Sequence, residues 1–220
     1  MADVDIYSSQ GCPFAQRTRM VLIEKDIPFN LTEVDLENKP DWFEDISPYS
    51  KVPLIIHKGQ RIYESAIINE YLDDEFPERA LMPSDPAARA QARIWMHYCD
   101  NYYLAAAWGL RGSGGDSEKQ ATALKNMQDR LRFMENEGLR KLSDSGPYWL
   151  GAELSLVDIQ FSPFFERFCV YEELWGAKIP DECTRLIEWR ENIKNTKGYQ
   201  ETARAPEIHI ELRKKMMSAA

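Results

Sequence analysis

A change of texture about one third of the way along the chain constrains the fold more than any other feature. The polar stretch PERALMPSDPAARA, with prolines at 77, 83 and 86, separates two dissimilar parts. Before it, short β-leaning runs are interleaved with amphipathic helical ones. After it, alternation with period two disappears and only helical spacing remains. In the first part, VDIY (4–7) precedes a helical run, PFAQRTRMVLIEK (13–25), and then the β-rich PFNLTEVDL (28–36). Strand, helix and strand within about 35 residues form the βαβ unit of a largely parallel sheet. The polar segment KPDWFEDISPYS leads to KVPLII and QRIYES, joined through HKGQ, whose glycine signals a hairpin. SAIINEYLDDEF closes this part as an amphipathic helix with Ser65 available as its cap. The second part opens with one long helix rich in alanine and aromatics, AARAQARIWMHYCDNYYLAAAW. A second follows in EKQATALKNMQDRLRFMENEGLRKL. The expected division is an α/β domain over 1–78, a linker over 79–85 and an all-helical domain of antiparallel pairs over 86–220.

Charge and cysteine usage exclude several classes. With 27 basic and 36 acidic residues the formal net charge is −9, which disfavours non-specific nucleic-acid binding, since that is driven by neutralising phosphates. No run of eighteen apolar residues predicts a membrane span. The N-terminus MADVDIYSSQ is acidic, unlike a secretory signal, so a cytoplasmic location is expected. The four cysteines, at 12, 99, 169 and 183, include no C-x-x-C pair. The histidines, at 57, 97 and 209, add no metal-binding spacing, so no metal is expected.

Chemistry concentrates in YSSQGCPFAQRTRMVL. Cys12 stands at the mouth of a helix, between Gly11 and Pro13, which suits the first helical position. Unpaired backbone N–H groups and the helix dipole favour a thiolate there. The alternative is a small buried residue at a strand–helix junction. Three positions on stands Ala15, where a dithiol relay would need its resolving cysteine. A disulfide formed at Cys12 must therefore be resolved by an outside thiol. Pro53 in SKVP suits the start of a strand. Ser65 in YES either caps its helix only or also receives a ligand carboxylate through its N–H and hydroxyl. In SLVDI, Ser155 and Asp158 have the spacing of a capping box, a structural role.

Taken together, CPFAQR, NKPDWF, KVPLI and YESAIINEYLDD, followed by an all-helical second half, resemble the cytosolic glutathione transferase superfamily. The similarity is greatest to its cysteine-type, omega-like class. The resemblance implies a thioredoxin-like domain over 1–78 that binds glutathione and a helical domain over 86–220 that walls the electrophile site. It implies that Cys12 forms a mixed disulfide with glutathione. Val52, before a cis Pro53, would hold the cysteinyl backbone, Glu64 and Ser65 the γ-glutamyl end, and Lys39 the glycyl end, with Phe14 lining the groove. The first long helix offers Trp95, Tyr98 and Tyr102 to the electrophile pocket. The implied activity is glutathione-dependent thiol transfer or reduction on disulfides, glutathionyl adducts or dehydroascorbate, by a homodimer. Two alternatives stand beside it. One is a non-catalytic interaction protein on the same fold, such as an RNA-polymerase-associated relative. The other is a glutathione-conjugating transferase that uses a hydroxyl, with Tyr7 and Ser9 nearby.

Overall fold

The computed structural model describes residues 4–218. In the first part the order is β1 (Val4–Ser8), α1 (Pro13–Glu24), β2 (Phe29–Glu33), α2 (Asp41–Ile46), β3 (Leu54–His57), β4 (Gln60–Tyr63) and α3 (Ser65–Glu75). The strands lie in the order β2-β1-β3-β4. β1 runs parallel to β2, with Val4 opposite Phe29, and antiparallel to β3, with Tyr7 opposite Leu54. Along β1 the side chains alternate as a strand requires, so Val4, Ile6 and Ser8 are buried. They share the interior with Leu54 and Ile55 of β3, Met20 and Leu22 of α1, and Ile68 and Leu72 of α3. The β3–β4 hairpin turns on Lys58 and Gly59, both with positive φ, as a tight two-residue hairpin turn needs. α1 starts at Pro13, and it stops where Asp26 adopts a left-handed conformation and the Ile27 N–H returns to the Leu22 carbonyl at 2.9 Å.

The second part is helical: α4 (Pro86–Tyr98), α5 (Leu104–Arg111), α6 (Ser117–Phe133), α7 (Arg140–Leu142), α8 (Leu156–Glu166), α9 (Phe168–Trp175), α10 (Thr184–Ile193), α11 (Lys197–Thr202) and α12 (Pro206–Ser218). Both long helices read from the sequence contain a π-helical turn, Cys99–Tyr103 in one and Met134–Leu139 in the other. The run SLVDIQFSPFFERFCVYEEL breaks at Arg167 into α8 and α9. The helical core is aromatic. Trp149 stacks on Phe161 at 4.6 Å, and Trp189 meets Trp149 and Phe165 edge-on.

Asp158 ties this core together. Its Oδ2 accepts from the Ser155 N–H at 2.8 Å and the Ser155 hydroxyl at 2.6 Å, within the reciprocal capping box. Its Oδ1 accepts from the Trp149 N–H at 2.8 Å and the Trp189 indole N–H at 2.7 Å. Burial pushes the carboxyl up, and these donors oppose that shift.

The compact units are not contiguous in sequence. Residues 196–202 group with the first unit, residues 83–195 and 203–220 with the second. The chain therefore departs from the division at 86 by lending α11 to the α/β unit. Together the two parts have the thioredoxin-like α/β and all-α composition of the glutathione transferase fold. Among the described residues no helix is long and apolar enough to cross a membrane, and no group of three His, Cys, Asp or Glu is placed to hold a metal ion.

Replacing Ser155 with Ala should cost about 0.5–2 kcal/mol, the usual value for a lost N-cap. Asp158→Ala should cost more, because three buried N–H donors lose their acceptor at about 1–3 kcal/mol each. Urea denaturation of the two variants checks the ranking, and equal losses would remove Asp158 as the hub.

Candidate active site

Cys12 occupies the N-cap position of α1 in extended conformation, with Pro13 next. Its N–H donates to the Ser9 carbonyl at 2.9 Å, and its carbonyl accepts the Gln16 N–H at 3.0 Å. The backbone around the sulfur is thus held from both sides. The thiol donates to the Val52 carbonyl at 3.8 Å. Cys12, Tyr7 and Ile46 pack, partly buried, on a cluster of Ala15, Val34, Phe43 and Val52. The Val52–Pro53 peptide is cis. At Gly11 an added Cβ would meet nothing within 4 Å, so close backbone approach does not require glycine there.

A cleft of about 130 Å³ is lined by Phe14, Ser47, Tyr49, Lys51, Val52, Pro53, Tyr63, Glu64 and Ser65; Cys12 is not in its lining and meets it through Val52. Five residues singled out in the sequence, Phe14, Val52, Pro53, Glu64 and Ser65, therefore share one cleft. Lys39 is exposed ahead of α2 and is not in this lining. Glu64, rather than Ser65, is the N-cap of α3, and its φ of 69° and ψ of 112° lie where a non-glycine residue pays about 1–3 kcal/mol in strain. The Ser65 hydroxyl makes no cap. It accepts from Arg17 Nη1 at 3.3 Å.

Arg17 and Arg19 both turn inward. Arg17 is fully buried, with its guanidinium 5.0 Å from the centre of the Phe14 ring. Arg19 bonds Ser8 Oγ at 3.0 Å and Glu33 at 3.3 Å, joining β1 to β2. The Ser47 hydroxyl closes a ring with Lys51, accepting its N–H and donating to its carbonyl at 3.0 Å each, which shapes the backbone just before Val52. Tyr49 and Tyr63 meet edge-on at 5.1 Å. Sequence reasoning missed Ser47, Tyr49, Tyr63 and the inward turn of Arg17. Tyr63 alone carried a local signal, standing directly before Glu64 and Ser65.

In the helical unit, Trp95 and Tyr98 belong to the core. Trp95 packs on Trp149 at 5.2 Å. Tyr98 stacks on Phe133 at 5.1 Å, and its hydroxyl donates to the Arg130 carbonyl at 3.2 Å. Tyr102 stacks on Tyr98 but is 45% exposed, with the Arg130 guanidinium over its ring. Of these three aromatics only Tyr102 presents a substantial free face. Among the other cysteines, Cys99 and Cys183 are buried and Cys169 is half-buried. Burial pushes the Cys183 thiol up to about 11 and the Cys169 thiol up as well, which weakens both as nucleophiles at neutral pH.

Comparison with known proteins identifies the family of the chain. Residues 11–75 match the family described as Glutathione S-transferase, N-terminal domain. Glutathione S-transferase L3 of Arabidopsis thaliana is 36% identical over 214 residues, covering 96% of this chain and 86% of that protein. The tau-class glutathione S-transferase MiGSTU of mango, Mangifera indica, superposes with a TM-score of 0.90 at 28% identity, covering 96% and 97% of the two chains. Glutathione transferase Omega 3C of Trametes versicolor gives 0.83 at 30%, covering 92% and 90%. The chain belongs to the cytosolic glutathione transferase superfamily and is a glutathione transferase family enzyme. Tau and omega proteins stand side by side among its relatives, with no one class dominant.

Burial, together with the Arg130 contacts that partly offset it, leaves the Tyr98 phenol up at about 12. In the unfolded chain it titrates near 10. The folded state therefore keeps a proton that the unfolded state releases: the stabilisation is complete below about pH 10 and is lost as pH rises toward about 12. Tyr103 and Tyr171 are pushed the same way. Absorbance at 295 nm should show late-titrating tyrosines that ionise together with alkaline unfolding. Tyr98→Phe should flatten the fall in stability across this window, and an unchanged fall would contradict the assignment.

Proposed function

We propose that the protein binds glutathione in the cleft beside Cys12 and moves the glutathionyl group between its own sulfur and a small substrate. The observation that carries this reading is the Cys12 thiol at the mouth of α1, 3.8 Å from the Val52 carbonyl and next to the Phe14–Ser65 cleft. The Val52 backbone would hold the cysteinyl unit. The Glu64 carboxylate would meet the γ-glutamyl ammonium, and Ser65 its carboxylate. Lys39 is assigned to the glycyl end, reached from outside the cleft. The same resemblance brings a homodimeric assembly and a cytoplasmic location into the proposal.

Two reactions fit a sulfur held there, each supported by a different observation. The three relatives named above are all glutathione transferases, which gives broader support to conjugation, in which the glutathione thiolate attacks an electrophilic carbon and a hydroxyl steadies it. Ser9 and Tyr7 supply hydroxyls close to Cys12 in sequence, and Tyr7 packs in the same cluster as Cys12. Cys12 itself supports the omega-like reaction, thiol transfer. Its thiolate attacks the glutathionyl sulfur of a mixed disulfide, the S–S bond breaks, and the substrate thiolate leaves and takes a proton. A second glutathione thiolate then attacks the Cys12–glutathione disulfide, giving oxidised glutathione and restoring Cys12. The missing resolving cysteine at Ala15 makes that second glutathione necessary.

Cys12→Ser should abolish reduction of hydroxyethyl disulfide by glutathione while calorimetry still detects glutathione binding. Undiminished reduction by this variant would remove Cys12 from the mechanism. Cys12→Ala separates the two reactions: conjugation to an aryl halide that survives intact would assign conjugation to a neighbouring hydroxyl.

A further inference from the structure

The short helix α11 belongs to the α/β unit although the chain on either side of it belongs to the helical one. It is seated directly on the backbone of α1. A Cβ added at Gly198 would stand 3.0 Å from the Met20 carbonyl oxygen and 3.1 Å from Met20 Cα. Both are backbone atoms, so a larger residue would need α11 and α1 to move apart by a few tenths of an ångström. The Gly198 N–H donates to the Glu24 carboxylate near the end of α1. Lys197 pairs with Asp26 just beyond it.

The other end of α11 reaches the first turn of α1. Gln16 is 1% exposed, and its Nε2 donates to Thr202 Oγ1 at 3.3 Å. The Thr202 hydroxyl donates in turn to the Gly198 carbonyl at 2.6 Å. One hydroxyl thus accepts from Gln16 and donates within α11, which fixes its orientation. Gln16 is also the residue whose backbone N–H holds the Cys12 carbonyl. A side chain anchored on α11 and a main chain anchored on Cys12 meet in one residue.

We infer that α11 braces the Cys12 turn, and that Thr202 and Gln16 are positioning residues for the Cys12 sulfur. Contact at Gly198 and Glu24 sets the height of α1, and the Thr202–Gln16 bond sets the rotation of its first turn. Rotation decides whether the sulfur keeps its place at the mouth of α1, 3.8 Å from the Val52 carbonyl. Neither residue touches the cleft, so both act through Cys12.

The inference rests on Cys12 as the reacting group. The test therefore uses iodoacetamide, which reports on the sulfur whether or not glutathione is the ligand. Peptide mass spectrometry follows alkylation of Cys12 in the full-length protein at pH 7, with the half-buried Cys169 as internal reference. Thr202→Val should slow Cys12 about fivefold relative to Cys169, the factor expected for losing one ordinary hydrogen bond. Thr202→Ser should restore the rate. Gln16→Leu, which breaks the same bond from the other side, should reproduce the slowing and serves if Thr202→Val does not fold. General loosening would instead speed both cysteines. A wild-type ratio in the Val and Leu variants, a rise at both cysteines, or a Ser variant as slow as Val would each overturn the brace.

Discussion

The antiparallel pairing of β1 with β3 makes the rest of the site possible. It sets Tyr7 opposite Leu54, so the chain leaving β1 and the chain entering β3 lie side by side. Cys12 comes a few residues after the first point and Val52 just before the second. Forty residues of sequence separate a thiol from the carbonyl it touches, and one strand register closes that gap. A slip by one residue would turn the buried side chains of β1 outward and carry Cys12 away from Val52. The cleft then needs only the start of α3, which β4 delivers through the short hairpin at Lys58 and Gly59.

Buried charged groups hold this frame through hydrogen bonds and ion pairs. Lys25 bonds Asp73 at 2.8 Å and also the carbonyls of Glu78 and Arg79. Asp73 in turn accepts the N–H groups of Leu81 and Met82. That arrangement fastens the chain after α3 onto the end of α1. In the helical unit, Glu135 accepts two N–H groups at the start of α10, and Glu166 meets His209 of α12 at 2.6 Å. Removing one partner from such a group leaves a buried charge uncompensated, which is far more costly than the pair is stabilising. Arg17 is the member of this set that reaches the cleft, linking Phe14 of α1 to Ser65 of α3.

Much of this was legible in the residues. Period-two runs separated by one amphipathic helix gave the succession of elements along the chain and the α1 position, but not the order of the strands in the sheet. HKGQ announced its hairpin, and Ser155 with Asp158 announced a helix start. Val52 with Pro53 and Glu64 with Ser65 were readable because they lie at element boundaries marked by proline or serine, whereas Phe14 followed only from the family resemblance. What escaped has a common physical cause. The residues alone left Arg17 and Arg19 open, as charges near the sulfur or as solvent-facing side chains, and only three-dimensional partners turn them inward. Glu64 displaced Ser65 as cap through a positive φ that no glutamate advertises. The return of α11 depends on Gly198 lying against Met20, a contact 178 residues apart in sequence. The π-helical turns leave the apolar pattern almost unchanged.

The central claim is that the sulfur of glutathione is delivered to Cys12. A crystal structure of the protein after exposure to oxidised glutathione tests it directly. The expected result is continuous density from Cys12 Sγ to the glutathione sulfur at about 2 Å, with the tripeptide lying along Val52 and its γ-glutamyl end at Glu64 and Ser65. A tripeptide bound in the cleft with its sulfur turned toward Ser9 or Tyr7, and Cys12 left as a free thiol, would contradict the account.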